Sequence, residues 1–317
     1  HEIKQKEQEG TLSFEMAVPS APPTLKSASE EPPAVIYRST DLGKTWSSFA
    51  KGIPEEATLS GIKQDGNKVY VATDYHGIFS STDGQNNWIP LKSNQLKHLD
   101  INCIEADDHK LVIGTLKNGI FVSNDEGTNW TQAKIANDKM PIRAFIKSQG
   151  DLYAGTDSGI FRSTDMGDTW LHVFGKVQIL GFTALNNKLY AASQNGVLLC
   201  NVHPSDWESI YEGDALHDIG NDGEYIYAMT IGQQLLKTNN DGKQWDNAQN
   251  GILQPANFYT NELKHVGQDI FSAQWIGIYH SSNHGSSWNK LSGLPDSTAF
   301  STLEITDYGI IAGISIR

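Results

Sequence analysis

The chain is poor in arginine, cysteine and long apolar runs, and each scarcity excludes something. Arginine occurs only at positions 38, 143, 162 and 317, and 24 basic against 37 acidic residues leave a net charge of −13. A nucleic-acid or anionic-membrane partner requires a basic face, so neither is expected. Two cysteines, Cys103 and Cys200, cannot build a disulfide framework. No run approaches the ~18 apolar residues of a membrane-spanning helix, so no membrane insertion is expected. No metal-ligand spacing, phosphate-binding glycine loop or Ser-His-Asp order occurs, and the ten histidines are scattered. No metal and no cofactor are expected.

What the chain has in abundance is one motif that ends in tryptophan. Its copies are STDLGKTW (39–46), STDGQNNW (81–88), SNDEGTNW (123–130), STDMGDTW (163–170), TNNDGKQW (238–245) and SSNHGSSW (281–288), with a worn copy, HPSDW, ending at Trp207. The tryptophans Trp46, Trp88, Trp130, Trp170, Trp207, Trp245 and Trp288 stand 37 to 43 residues apart. A near-constant period of that size marks repeated supersecondary units.

Each unit repeats ahead of its motif as well. VYVATDYHGIFSSTD (69–83), LVIGTLKNGIFVSND (111–125) and LYAGTDSGIFRSTD (152–165) each read as two β-rich runs joined by a polar turn containing glycine. An upstream strand carries an apolar anchor at Ile62, Ile104, Phe145, Phe182, Ile219, Leu263 and Leu303. With the strand after each tryptophan, every unit holds four antiparallel strands, the pattern of a propeller blade. The C-terminal STLEITDYGIIAGISIR (301–317) contains only the first two strands of a unit, and AVIYRSTDLGKTW (34–46) only the last two. Joined, they complete a seventh blade. The expected fold is therefore all-β: a single seven-bladed propeller over 34–317, closed by pairing the N-terminal and C-terminal strands in blade 1. Blades 2 to 7 follow in chain order.

The pattern S-x-D-x-G-x-T-W resembles the Asp-box, or BNR, repeat of sialidases, sortilin-type receptors, xyloglucanases and photosystem II assembly-factor propellers. The resemblance implies that Asp41, Asp83, Asp125, Asp165 and Asp241 are structural staples, and it tilts the expected location to outside the cytoplasm, secreted, periplasmic or surface-tethered. Physical chemistry supports a structural reading. The carboxylate can accept backbone N–H groups of its own turn, glycine supplies a positive φ, and the indole buries a large ring. One active site needs one such aspartate, so repetition argues against catalysis. Sialidase activity implies three arginines gripping a carboxylate. Arg38 and Arg162 share a slot just before the motif and Arg317 is terminal, so only Arg143 suits a channel role and the triad cannot be built.

Residues 1–33 are rich in Glu, Lys, Ser and Pro and read as a spacer that could tether the propeller. They lack an initiating Met and a signal-peptide core, the pattern of a processed chain; TLSFEMAV (11–18) could add an outer strand. Cys103 falls in a first strand and Cys200 in a third strand two blades on, so a bridge is excluded and both read as buried thiols.

Aligning the first strands on their anchors locates the residues expected to line the channel. One residue before the anchor stand Gly61, Cys103, Ala144, Gly181, Asp218, Glu262 and Thr302. Two before stand Ser60, Asn102, Arg143, Leu180, His217, Asn261 and Ser301. Most are small. The departures, Arg143, His217, Asp218, Asn261 and Glu262, cluster in blades 4, 6 and 7, and a repeat that breaks its own pattern marks candidate function. Tyr75, His76, Phe258, Tyr259, Trp275 and Phe300 could wall the same site. The expected role is recognition of a glycan or a protein by a monomer. The alternative is glycoside hydrolysis by Asp218 and Glu262.

Overall fold

The computed structural model describes residues 34–314 apart from 94, 138, 202–205, 233, 254–259 and 297. The readings of 1–33 and of the strand at 11–18, as well as Phe258, Tyr259 and Arg317, lie outside the described residues. The second strands, such as Lys68–Asp74 and Lys110–Thr115, are buried along nearly their whole length. Sheets packed on both sides require that, which is why VYVAT and LVIGT are apolar without strict alternation.

Seven four-stranded antiparallel sheets form, each in simple chain order except one. The first strands are Phe300–Thr306 in blade 1, then Thr58–Asp65, Ile101–Asp107, Ile142–Ser148, Ile179–Leu185, Leu216–Asn221 and Glu262–Val266 in blades 2 to 7. Each packs beside the next around the axis, and the last returns to the first. Blade 1 is the exception in chain order: Phe300–Thr306 pairs with Gly309–Ile314, which pairs with Ile36–Ser39 and then Ser47–Ser48. Its closing register sets Ile36 against Gly313 and Ser39 against Ile310. The N-terminal and C-terminal strands thus meet in one blade, as the repeat count requires, and Ile36–Ser39 is paired on both sides rather than left as an edge strand. Neither cysteine is in a disulfide; Cys200 is buried and Cys103 keeps some accessible surface.

The motif turns join third to fourth strands on one face, called here the lower face. In 39–46 the Ser39 hydroxyl donates to Asp41 Oδ1 (2.8 Å) and accepts from the Gly43 N–H (2.8 Å). Asp41 also accepts the Thr45 N–H (2.9 Å) and hydroxyl (2.7 Å), and the Trp46 indole donates to the Gly43 carbonyl (3.1 Å). The turns at 123–130 and 163–170 repeat this set on Asp125 and Asp165. Gly43, Gly127 and Gly167 take φ of 80°, 86° and 97°, which favours glycine at each position.

Two aspartates expected in that role do something else. Asn240, not Asp241, accepts the Thr238 hydroxyl and the Gln244 N–H in blade 6. Asp241 instead accepts the Tyr190 hydroxyl (2.8 Å) and Lys188 (2.6 Å) of blade 5. Asp83 accepts the Asn67 side chain (3.0 Å), while the Ser81 hydroxyl donates to the Gln85 carbonyl. The tryptophans divide too. Trp88, Trp245 and Trp288 donate to carbonyls of the preceding blade, at Phe49, Ile210 and Ala248. Trp207, in the worn copy, packs on Phe174 with ring centroids 5.9 Å apart.

A second tie runs from blade to blade across the lower face. Lys68 pairs with Glu126, Lys110 with Asp168 and Lys188 with Asp241, each cation reaching the motif turn of the next blade. Arg38 reaches the Gly84 carbonyl and Lys237 the His284 carbonyl in the same sense. Asp165→Ala removes three hydrogen bonds and is expected to lower stability by about 1–2 kcal/mol, since the turn's donors lose their acceptor. Asp83→Ala, outside the staple, is expected to cost less; equal losses in denaturant unfolding would contradict the division of roles. Hydrogen bonds from Thr45 and Ser39 also pull the Asp41 carboxyl down to about 2. Its support is therefore full above the ordinary value and lost as pH falls from about 4 toward 2.

Candidate functional site

The opposite, upper face carries the turns between second and third strands and the connections into the first strands. The connections are uneven, reaching from a few residues (213–215) to the long segments 91–100, 248–261 and 291–299. Below, the turns between first and second strands are of two residues in six blades and of four (222–225) in blade 6, a smaller spread.

The channel positions are shaped by a feature that period-2 alternation does not reveal. In six first strands the pairing slips at the same place, between 59 and 61, 101 and 103, 142 and 144, 179 and 181, 216 and 218, and 300 and 302. The skipped residues are Ser60, Asn102, Arg143, Leu180, His217 and Ser301. Each is an extra residue in a bulge, which re-aims its side chain. Several then tie blade to blade. Asn102 donates to the carbonyls of Ile142 (3.1 Å) and Arg143 (2.9 Å), and Asn261 to that of Phe300 (2.7 Å).

Asp218 and Glu262 come together in one electrostatic group, with two members that the reading of positions before the anchor missed. Glu262 accepts the Leu303 N–H (2.6 Å) through one oxygen and pairs with Lys264 (3.0 Å) through the other. Lys264 also pairs with Glu304 (3.3 Å). Both lie one residue after their anchors, Leu263 and Leu303, on the same side of the strand. Glycine makes room for Asp218: a Cβ at Gly181 would sit 1.9 Å from its Oδ1. The Asp218 carboxyl keeps a partly accessible surface but lies deep in the protein. Burial, then the neighbouring Glu262 charge, pushes it up to about 8, against the Ile219 N–H bond and Lys264. Burial alone pushes His217 down to about 4, so it is neutral at pH 7. Lys264 is held above its ordinary value: burial opposes its charge, and Glu262 and Glu304 outweigh that.

The sign of the Asp218 effect is testable. An unfolded aspartate titrates near 3.9, below the folded value, so the native state holds the extra proton between them. Stability then falls as pH rises from about 4 to about 8 and levels off above. Asp218→Asn is expected to flatten this slope, which is at most about 1.4 kcal/mol per pH unit, and to be more stable than the parent at pH 8.5. Parallel curves for the two proteins in pH-dependent melting would refute the assignment.

The remaining expected site residues are dispersed. Arg143 forks onto Asp157 of its own blade, Nε to Oδ1 at 2.8 Å and Nη2 to Oδ2 at 3.1 Å. Asp157 also accepts the Gln178 side chain of blade 5 (2.8 Å). Burial works against its charge, and these bonds outweigh burial to hold the carboxyl below its ordinary value. His76 lies 3.1 Å from the Asp74 carbonyl and 3.7 Å from Glu56. Trp275 stands half-buried in the upper turn of blade 7, while Tyr259 is outside the described residues. The arginines do not converge: Arg38 lies over the Phe49 ring, Arg162 pairs with Asp151 and Arg143 with Asp157.

A family model described as the DUF6242 beta propeller domain matches residues 27–147, fewer than half of the 317. No curated protein matches the sequence significantly. Among solved structures, YCF48 from Cyanidioschyzon merolae is similar at a TM-score of 0.64 and 13% identity, covering 83% of this chain and 97% of that one. YCF48 bound to D1 peptide gives 0.63 at 15% identity, with 82% and 90% covered. The extracellular domain of BT3049 from B. thetaiotaomicron gives 0.68 at 14% identity, with 90% of this chain and 40% of that chain covered. At these identities the likeness establishes the seven-bladed fold.

Proposed function

We propose that the chain is a non-catalytic recognition module of the Asp-box kind that binds a protein partner on its upper face outside the cytoplasm. The contrast between the two faces carries this reading. Below, cationic side chains are committed to blade-to-blade ties. Above, the connections are uneven in length, and this face holds three exposed apolar side chains, Tyr75 and Ile231 in turns between second and third strands and Leu253 in a connection. Loops on a rigid scaffold are where binding residues concentrate. The similar propeller YCF48 is seen with D1 peptide, which supports a peptide as the class of ligand. Extracellular domains among the similar structures support export.

Glycoside hydrolysis by Asp218 and Glu262 fits less well. Glu262 spends one oxygen on a backbone N–H and the other on Lys264, the roles of a tie between blades 7 and 1. A glycan remains the second class of ligand, with the Asp218 carboxyl as the group that would meet its hydroxyls.

The reading is tested by selecting displayed random peptides on the protein and screening a glycan array in parallel. A Tyr75→Ser, Ile231→Ser, Leu253→Ser triple variant is expected to lose peptide affinity at least about tenfold, the loss of roughly 1.4 kcal/mol. A lower-face Lys188→Ala variant should retain it. Selected peptides indifferent to the upper-face changes would sink the proposal, and glycan binding lost in Asp218→Ala would favour the second class.

A further inference from the structure

The structure assigns Asp100 as a receptor for an arginine side chain of the partner, in a notch between blades 2 and 3 on the upper face. This deepens the reading above and rests on it. Asp100 immediately precedes the first strand of blade 3 and is 4% exposed. Neither of its carboxylate oxygens accepts a hydrogen bond among the described residues. A buried carboxylate ordinarily has donors, because stripping its water without replacing those bonds is costly. The nearest cation is Lys117, whose Nζ lies 3.5 Å from Asp100 Oδ2 while its side chain is 73% exposed. The same ammonium is 3.4 Å from the Tyr75 hydroxyl. Lys117 thus pairs with Asp100 as a long, solvated arm, and the Tyr75 hydroxyl and then Asp100 hold its ammonium above the ordinary value.

The interface between blades 4 and 5 shows the same chemistry already satisfied. Asp157, also on the upper face, receives both arms of the Arg143 guanidinium and the Gln178 amide. Asp100 has the two oxygens and lacks the fork. A guanidinium matches the two oxygens of a carboxylate better than an ammonium does. Tyr75 supplies a wall: its ring is 49% exposed, and an aromatic face attracts a cation. It holds this position at a φ of 61°, which a bulky residue rarely adopts, with its N–H donating to the Leu99 carbonyl beside Asp100. The partner's guanidinium displaces Lys117, which swings to solvent, and docks between Asp100 and the Tyr75 ring. The net charge of −13 draws a cationic segment toward the site.

The test is an NMR titration of the full chain with Nα-acetyl-arginine methylamide, with the uncharged citrulline counterpart as control. Arginine should perturb residues 75–77, 99–101 and 116–118, and citrulline should not. Lys117→Ala removes the competitor and is expected to tighten binding by at least about threefold, because the open notch becomes fully populated. Asp100→Asn should abolish binding. Equal affinity in the parent and Lys117→Ala, or absence of binding in both, overturns the assignment whether or not Asp100→Asn folds. Perturbation elsewhere on the upper face overturns the assignment alone. Perturbation confined to the lower face overturns the upper-face reading with it.

Discussion

Removal of residues 304–317 abolishes cooperative unfolding. The deletion takes away the last three residues of the first strand of blade 1, Glu304 to Thr306, and all of Gly309–Ile314, the strand that links it to Ile36–Ser39. Ile310, Ile311 and Ile314 are at most 4% exposed, and burying each is worth about 1.5–3 kcal/mol. Those three side chains alone approach the ~5–15 kcal/mol that holds a typical domain folded. The ring also loses its closure, leaving the inner edge of Ile36–Ser39 and one flank of blade 2 uncovered. A denaturant titration of the shortened chain is expected to show no sigmoidal transition and no near-ultraviolet circular dichroism. A full-amplitude transition at the parent midpoint would show that blade 1 is not a closing element.

Lys264→Met is expected to destabilise the protein by about 1–3 kcal/mol, between the ~0.2–1 kcal/mol of an exposed pair and the ~3–5 kcal/mol of breaking a fully buried one, because the three side chains are 19–28% exposed. Lys264 is the cation between Glu262 and Glu304, at 3.0 and 3.3 Å, and its charge also moderates Asp218. Methionine keeps most of the volume and none of the charge, so the carboxylates are left facing one another. Glu262→Gln with Glu304→Gln should recover part of the loss. A loss below about 1 kcal/mol, against that expected range, would mean that water in the channel screens the cluster and that the blade 7 to blade 1 contact does not depend on it.

The blade count, the four-strand unit and the closure were legible because every blade must bury a second strand on both sides and stack an anchor on the next sheet. Those demands recur at a fixed period. The two misassigned staples were legible too, on closer spacing. Aspartate stands two residues before glycine in Asp41–Gly43, Asp125–Gly127 and Asp165–Gly167. It stands one residue before glycine at Asp83 and Asp241, so the turn cannot place both groups where the motif needs them. The channel was less legible. Bulges at Asn102, Arg143 and His217 defeat alternation, and a bulge leaves no composition signal in a single chain. Lys264 and Glu304 lie after their anchors, where pairing between blades brings them beside Glu262. Asp100 lies four residues before its anchor, outside the rings that were aligned, and its significance comes from what fails to bond it.

The central claim is that the lower face holds the ring together while the upper face recognises a partner. Hydrogen–deuterium exchange of the protein alone and with a peptide selected from a displayed library measures this directly. The expected result is protection of 75–77, 91–100 and 116–119 on binding, with the motif turns at 39–46, 123–130 and 163–170 unchanged. Protection centred on those motif turns, with the upper connections unaffected, would contradict it.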